Sequence, residues 1–314
     1  MLASQNSLVS VQINRNTAAE LAESPAPLRE AALETFRRRN AVLDAFFYDI
    51  GNVSADEARR ISPWLAREGT ILIVPPSGRG DLQLCADLTA FEASEGRHVR
   101  ILAVAGVGSS ALGSAAFGRN VADAFGEAVA VVVSGYGLAD VLTEAAGGLF
   151  YFGTLNQLRH QFESLDDAAR RYWQPSKAVT DETAMIGRRS LDTRVVKALL
   201  ASDRFKFSVL IGHSKGNLVL SEVLYEMEPA KAGAIDDGTW LLKISAAVST
   251  PKSYKNALNI MGAVDWFGGL NSRMGAHLDK KWPFAWHHTN TELPFSLPVT
   301  KVLNEVIKEH AIRL

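Results

Sequence analysis

Short apolar runs alternate with longer helical patterns along most of the 314-residue chain. Largely apolar runs of this length are typical of strands that are buried on both faces, and the helices between them are typical of crossovers joining parallel strands. We therefore predict an α/β fold in which a mainly parallel central sheet carries helices on both faces. The runs predicted as strands lie at residues 70–74, 99–105, 128–133, 207–211, 241–248 and 257–261.

Two regions depart from this alternation. Residues 1–26 are mostly polar, and between residues 28 and 48 apolar residues recur at roughly helical spacing. The pattern predicts a helical extension over residues 1–60 ahead of a main domain at 61–314, and it leaves open whether the extension is a cap, an oligomer contact or a strut. Residues 150–190 are polar with scattered aromatic residues, which fits either a lid over a site or a surface excursion.

The composition narrows the classes of partner. The chain is 47% hydrophobic and 21% charged, which is ordinary for a globular protein. A formal net charge of -1 creates no field that would attract nucleic acid, so we expect no nucleic-acid partner. No run reaches the roughly 18 apolar residues of a membrane span, and the start of the chain lacks a secretory pattern. We expect a cytoplasmic protein without a membrane span.

The chain has one cysteine, Cys85, so no intramolecular disulfide can form, which fits a reducing compartment. It lies within residues 82–94, which we predict to be helical, and no basic residue beside it favours a thiolate. We interpret Cys85 as a packing residue.

The strongest local signal is the pentapeptide GHSKG at residues 212–216. A predicted strand precedes it, and a helical pattern at 217–224 follows it. A sharp turn from strand to helix presents a serine at the end of the strand, and flanking glycines leave room for a strained backbone. The N–H groups at the start of the helix also stabilise developing negative charge. The pattern predicts Ser214 as a nucleophile, and the alternative is that Ser214 only caps the helix.

This strand, pentapeptide and helix resemble the nucleophile turn of the α/β-hydrolase superfamily of esterases, lipases and related acyl-transfer enzymes, and the resemblance covers about residues 70–310. It implies an α/β-hydrolase fold and a Ser-His-Asp triad, with the acid and then the histidine on loops after later strands. Asp265 is the expected acid, because it lies in a glycine-bounded loop just past a predicted strand. His287 is the expected base, because it directly follows an aromatic run that would form the last strand, and the adjacent His288 is the alternate base.

Residues 105–113 form a Gly/Ser-rich loop between a predicted strand and a predicted helix. In α/β-hydrolases such a loop supplies one oxyanion donor, so the resemblance assigns this role to the N–H groups of Lys215 and of Val107 or Gly108. The same residues also satisfy G-x-G-x-x-A, a dinucleotide-binding fingerprint. A dinucleotide site favours an acidic residue after the next strand, and the strand at 128–133 ends without one. Dinucleotide binding is therefore the weaker of the two interpretations of this loop.

Together these features predict a serine hydrolase that acts on a small-molecule or lipid-like ester or thioester through an acyl-enzyme, without a cofactor. No metal site is expected, because the two neighbouring histidines lack metal-ligand spacing. An acyltransferase would differ only in the acceptor. The alternative from another class is a non-catalytic binding protein that uses the helix at 28–48 for partner contact. An apolar acyl group is suggested by the aromatic residues near the expected acid and base: Trp266, Phe267, Trp282, Phe284 and Trp286.

Overall fold

The structure, a computed structural model, describes six stretches of the chain, at residues 42–61, 69–106, 109–134, 191–227, 235–273 and 275–314. Within these stretches no helix is both long and apolar enough to cross a membrane. Three sequence predictions lie outside the described residues: the helical pattern from 28 to 41, the oxyanion donors Val107 and Gly108, and the insertion at 150–190.

An eight-stranded sheet forms the centre of the described part of the chain. Its strands are β1 (Ile71–Val74), β2 (Gln83–Cys85), β3 (Ile101–Val104), β4 (Val129–Val132), β5 (Val209–His213), β6 (Trp240–Ile244), β7 (Ala257–Gly262) and β8 (Lys280–Trp282). Their order across the sheet is β2-β1-β4-β3-β5-β6-β7-β8. Strand β1 runs antiparallel to β2 and β4, and every pair from β4 to β8 is parallel. The prediction of a mainly parallel α/β sheet is confirmed.

Helices cover both faces of this sheet. They are α1 (Ala55–Ile61), α2 (Leu88–Ala93), α3 (Ala111–Phe125), α4 (Leu191–Ala201), α5 (Lys215–Met227), α6 (Trp266–Leu270) and α7 (Val299–His310), with short 3₁₀ turns at Ile50–Asn52 and Glu95–His98. Helices α3 and α7 supply residues to the core cluster on one face. Helices α4 and α5 supply residues to the cluster on the other face.

The apolar runs follow from this sandwich of layers. In β3, Ile101 and Ala103 join one core cluster, whereas Leu102 and Val104 join the other. Successive side chains of a strand point to opposite faces, so a strand covered on both sides must be apolar at every position. All four residues of β3 are accordingly buried.

Residues 42–61 pack against the sheet domain, which fits the strut among the roles considered for the extension. Residues 42–47 are helical, and the Phe47 carbonyl accepts a hydrogen bond from the Thr289 hydroxyl at 2.9 Å. The buried Asp49 carboxylate accepts from the Thr291 hydroxyl at 2.7 Å and from Asn120 at 2.7 Å. The segment is thereby fixed to α3 and to the loop that precedes α7.

The predicted helix over residues 82–94 is wrong at its start. Residues 83–85 pair with β1 as the edge strand β2, and Cys85 lies in this strand rather than in a helix. The helix begins only at Leu88, where the Asp87 side chain accepts a hydrogen bond from the Ala90 N–H at 2.8 Å. Pairing with an existing strand overrode the local helical pattern. Cys85 is buried, and burial raises the pKa of its thiol, which agrees with a packing role.

Two other predicted bounds are corrected. The strand predicted at 241–248 ends at Ile244, because Ser245 has a φ of 58° and so cannot continue an extended strand. The last strand is β8, which ends at Trp282, whereas the prediction placed it in the aromatic run that follows. There the chain turns through Phe284, whose φ is 55°.

Candidate functional site

The predicted site residues lie where parallel strands end. We define the carboxyl edge as the residues that lie one to three positions after the ends of β3, β5, β6 and β7, represented by Gly106, Ser214, Ser245 and Asp265. Parallel strands bring their carboxyl ends to the same edge of a sheet, which is where α/β proteins place their sites. Residues distant in sequence therefore become neighbours there.

Ser214 occupies the turn between β5 and α5. Its φ is 50°, a left-handed conformation that costs a residue with a side chain about 1–2 kcal/mol. The backbone holds this conformation through two hydrogen bonds: the Ser214 N–H donates to the Ile244 carbonyl at 2.9 Å, and its carbonyl accepts from the Asn217 N–H at 3.0 Å. The side chain is buried, and within the described residues its hydroxyl oxygen has no hydrogen-bond partner.

The two glycines of the pentapeptide are required by close packing. A Cβ on Gly212 would collide with the Asn217 side chain, and one on Gly216 would collide with the Val104 carbonyl oxygen. The turn therefore needs small residues on both sides of Ser214. This explains physically why the G-x-S-x-G spacing was the strongest sequence signal.

Asp265 and His287 form a buried pair. His287 Nδ1 lies 3.0 Å from Asp265 Oδ1 and 3.1 Å from Oδ2. The carboxylate also accepts a hydrogen bond from the Gly268 N–H at 2.6 Å, because Asp265 is the N-cap of α6. A carboxylate facing Nδ1 selects the tautomer with the proton on that nitrogen, and a neutral ring then presents Nε2 as the acceptor.

The structure pairs Asp265 with His287 and not with the alternate base His288. His288 Nε2 lies 3.0 Å from the Pro294 carbonyl oxygen, so it donates there instead. Burial lowers the pKa of His288. The two adjacent imidazoles thus have different partners, as alternating side chains in extended backbone should.

Ser214 and His287 lie on neighbouring loops, although no hydrogen bond joins the Ser214 hydroxyl to the ring of His287. The contact between the two loops is made by the residue before the serine. His213 Nε2 lies 3.1 Å from the His287 carbonyl oxygen. The two imidazole rings are 5.2 Å apart between centroids. Ser214 is thus the chain neighbour of a residue that contacts the buried Asp265–His287 pair.

The two predicted oxyanion elements are placed differently. Lys215 is the first residue of α5, where backbone N–H groups have no carbonyl partner within the helix. The predicted oxyanion donor is the backbone N–H of Lys215. The side-chain ammonium group of this residue is engaged elsewhere and donates to the Ser134 carbonyl at 2.9 Å. Of the other loop, Gly106 is described, and its N–H donates to the Tyr48 hydroxyl at 2.9 Å.

Three of the five aromatic residues expected near the acid and base lie there. The Phe267 ring is 4.6 Å from the His287 ring, and Trp266 and Trp286 are 6.1 Å apart beside it. Trp282 instead packs against the core, and Phe284 is exposed. The prediction that aromatic residues surround the acid and base therefore holds for Trp266, Phe267 and Trp286 and fails for Trp282 and Phe284.

Two contributors to the cluster were missed in the sequence. Tyr48 comes from the N-terminal segment and is fully buried beside His213. The Asn217 amide donates to the Ile244 carbonyl at 2.8 Å and to the Ala246 carbonyl at 3.1 Å, which ties α5 to the end of β6. No local pattern marks either residue, because both act on chain segments far away in sequence.

Among the described residues, no group of three or more His, Cys, Asp or Glu side chains is arranged to hold a metal ion. Comparison of the chain with family models, with curated proteins and with solved structures finds no match. The functional assignment therefore depends on the site itself.

Proposed function

We propose that the protein is a serine hydrolase of the α/β-hydrolase type that cleaves an ester or thioester through an acyl-enzyme on Ser214. The observation that carries this proposal is the buried Asp265–His287 pair beside a serine with a strained backbone. Such strain persists only where the surrounding structure enforces it, and it concentrates at functional sites. The order serine, acid, histidine along the chain also supports the superfamily assignment.

The proposed reaction divides the work among these groups. The Ser214 oxygen attacks the acyl carbonyl carbon while its proton passes to His287 Nε2, which later gives that proton to the leaving alcohol or thiol. Asp265 fixes the tautomer and stabilises the imidazolium. Water then attacks the acyl-enzyme with the same base, which releases the acid and restores Ser214. Catalytic hydrogen bonds commonly tighten only in the substrate complex, so the reaction requires the Ser214 hydroxyl to approach His287.

The oxyanion of the tetrahedral intermediate needs two N–H donors. The first is the Lys215 N–H at the start of α5, where the helix dipole adds partial positive charge. The second is the N–H of Val107 or Gly108, as the resemblance implies. The Gly106 N–H cannot take this role, because it already donates to Tyr48.

The substrate class follows from the ring cluster beside the acid and base. Trp266, Phe267 and Trp286 form edge-to-face and tilted contacts with one another, and Trp266 is 60% exposed. Exposed aromatic surface next to a polar pair favours a substrate with an apolar acyl or aromatic group. We therefore propose an apolar ester or thioester.

The rival dinucleotide site fits the described residues less well. In such a site the pyrophosphate lies at the N-terminus of the helix after the glycine loop, which here is α3. That position is already filled by the buried Asp44 carboxyl, which accepts hydrogen bonds from the Ser110 N–H at 2.9 Å and from the Ser110 hydroxyl. The Ser110 N–H that would bind the pyrophosphate is therefore already occupied.

The test is turnover of p-nitrophenyl esters of increasing acyl length by wild type, Ser214→Ala and Ser245→Ala. Ser245 is the matched control, because it too follows a parallel strand, has a positive φ of 58° and is buried, and its hydroxyl has no partner in the described stretches. We expect Ser214→Ala to lose at least about a thousandfold in kcat and Ser245→Ala to keep turnover within about threefold. Equal losses in both variants would contradict the proposal, and a wild type that turns over no ester would favour the non-catalytic alternative.

A further inference from the structure

Tyr48 joins two loops of the site through a single hydroxyl. The residue is fully buried. Its oxygen accepts the Gly106 N–H at 2.9 Å and lies 3.3 Å from His213 Nδ1. The Gly106 N–H can only donate, so the tyrosine oxygen is the acceptor there. In its contact with His213, the tyrosine hydroxyl can act as the donor.

The second contact of His213 fixes the direction of the whole chain of hydrogen bonds. The His287 carbonyl, 3.1 Å from His213 Nε2, can only accept, so Nε2 carries a proton. Burial lowers the pKa of His213 to about 3, with the nearby His287 adding to the effect, so the ring is neutral near pH 7. A neutral ring protonated at Nε2 leaves Nδ1 bare to accept from Tyr48.

One arrangement of protons thus accounts for these three contacts. The Gly106 N–H donates to Tyr48, the Tyr48 hydroxyl donates to His213 Nδ1, and the His213 Nε2–H donates to the His287 carbonyl. A buried polar network that is fully satisfied holds a unique geometry, whereas one with a missing member leaves costly unpaired groups. This series of hydrogen bonds connects the N-terminal segment, the glycine loop, the serine turn and the histidine loop.

Packing supports the same connection. A Cβ on Gly106 would approach His213 Nδ1, the His213 carbonyl oxygen and Ser214 Cβ, each at 3.0 Å. The Tyr48 and His213 rings are 5.6 Å apart in an edge-to-face contact. Tyr48, Gly106 and the serine turn are therefore closely packed.

We propose that Tyr48 and His213 are positioning residues that set the backbone of His287, and with it the approach of the imidazole to Ser214. The inference rests on the proposed function, and it extends that function to a residue from the N-terminal segment. Both side chains are buried, so we assign them no contact with the substrate. A misplacement of about 1 Å in a reacting group can cost up to about a hundredfold in rate, so the loss of one link should be visible in kcat.

The first test compares Tyr48→Phe with Thr289→Val. Each change deletes one buried hydroxyl that links the N-terminal segment to another part of the protein. The Thr289 hydroxyl donates to the Phe47 carbonyl and takes no part in the hydrogen bonds that join Gly106, Tyr48, His213 and His287. We expect Tyr48→Phe to lower kcat about tenfold with KM within about twofold, and Thr289→Val to lower the Tm without changing kcat. Equal kcat values in both variants, at similar Tm, would overturn the inference.

A second pair tests the proton arrangement at His213. Glutamine offers an acceptor and a donor like the neutral ring, so His213→Gln should keep kcat within about threefold, whereas His213→Phe should lose as much as Tyr48→Phe. Because wild-type His213 does not gain a proton above about pH 3, the acid limb of the pH profile should be the same in His213→Gln. A glutamine variant as impaired as the phenylalanine variant would contradict the arrangement.

A readout without turnover separates this inference from the proposed function. Proton and nitrogen NMR of the imidazoles reports the His287 Nδ1–H that faces Asp265 and the tautomer of His213. We expect Nε2–H at His213 in wild type, and faster solvent exchange of the His287 Nδ1–H in Tyr48→Phe than in Thr289→Val. Unchanged exchange in Tyr48→Phe would overturn the inference even if the enzyme is active. A wild-type protein that turns over no ester would overturn only the proposed function.

Discussion

Two buried polar regions of the molecule differ in whether their polar groups have partners. At the carboxyl edge, Ser214 and Ser245 have positive φ angles, and their buried hydroxyls have no partner in the described residues. At what we call the Glu57 corner, formed by Glu57, Arg119 and Ser54, buried charges are matched. The Glu57 carboxylate accepts hydrogen bonds from Arg119 and from the Ser54 hydroxyl, the latter at 2.9 Å.

The contrast separates stability from chemistry. The Glu57 corner ties α1 to α3 and to the end of β1, because Arg119 also donates to the Pro75 carbonyl at 2.6 Å. The buried charges of Arg119 and Glu57 compensate each other, so breaking the pair is costly, and neither side chain is exposed to a substrate. A strained and unpaired group costs stability, and sites that break local rules are those where function is expected. Substitutions in the two regions should therefore move different quantities.

The largest expected effect is on turnover at the carboxyl edge. Asp265→Asn keeps the shape and the hydrogen bond from the Gly268 N–H, but it turns an amide N–H toward His287 Nδ1 and selects the wrong tautomer. We expect ester turnover to fall by at least about a thousandfold, with a Tm close to wild type. His287→Ala should lose at least as much, because it removes the base itself, whereas the matched control His288→Ala should not. A loss in His288→Ala alone would show that the base was misassigned.

The next effect is on stability at the Glu57 corner. Glu57→Gln leaves the buried Arg119 guanidinium without its counter-charge, which should cost about 3 kcal/mol or more in the free energy of unfolding. Turnover per folded molecule should not change. The control is Asp56→Asn, whose ion pair with Arg59 is exposed and should be worth less than about 1 kcal/mol. Urea unfolding of both variants makes the comparison, and a Glu57→Gln variant as stable as wild type would contradict it.

A smaller effect should reveal the strain at the serine turn. Glycine adopts a positive φ without steric cost, so Ser214→Gly should stabilise the fold by about 1 kcal/mol while abolishing turnover. Ser110, with a φ of -79°, is the control position, where glycine should bring no gain. Thermal unfolding distinguishes the two. A Ser214→Gly variant less stable than wild type would mean that the turn is not strained.

A further effect is on the pH dependence of stability. Burial raises the pKa of Asp44 from 3.8 to about 7, against hydrogen bonds from Ser110 that lower it. Between about pH 4 and 7 the folded state therefore binds more protons than the unfolded state, so this group's stabilisation falls as the pH rises. Asp44→Asn should flatten that decline by up to about one proton per molecule. Unfolding free energies measured from pH 4 to 8 test this, and an unchanged slope would contradict it.

Glu57 should show the opposite sign. Burial alone would raise its pKa, but the hydrogen bonds from Ser54 and the charge of Arg119 lower it below the ordinary value. Its contribution is therefore lost as the pH falls through the lowered pKa. The pKa values of these two buried carboxyl groups are therefore shifted in opposite directions.

The sequence predicted those features that depend on neighbours in the chain. The apolar runs located most of the strands, and the ends of the strands at 207–211 and 257–261 led to Ser214 and Asp265, because each lies within a few residues of the strand that positions it. His287 was chosen from a strand that was predicted in the wrong place. Strand β2 was missed because its pairing with β1 is a tertiary contact that outweighed a local helical pattern.

The sequence could not predict the links between distant segments. The contact between Tyr48 and His213 joins residues 165 positions apart, and the contact from Gly106 to Tyr48 joins residues 58 apart. The left-handed conformation of Ser245 was equally invisible, because no glycine or turn motif marks it. The roles proposed for the triad remain predictions that the geometry supports.

The most direct test of the central claim is the site at which a fluorophosphonate probe attaches, read by mass spectrometry of the peptides of the labelled protein. We predict one equivalent of phosphonate on Ser214, none on Ser245, and no labelling of the Ser214→Ala variant. An adduct on another residue, or equal labelling of wild type and Ser214→Ala, would contradict the account.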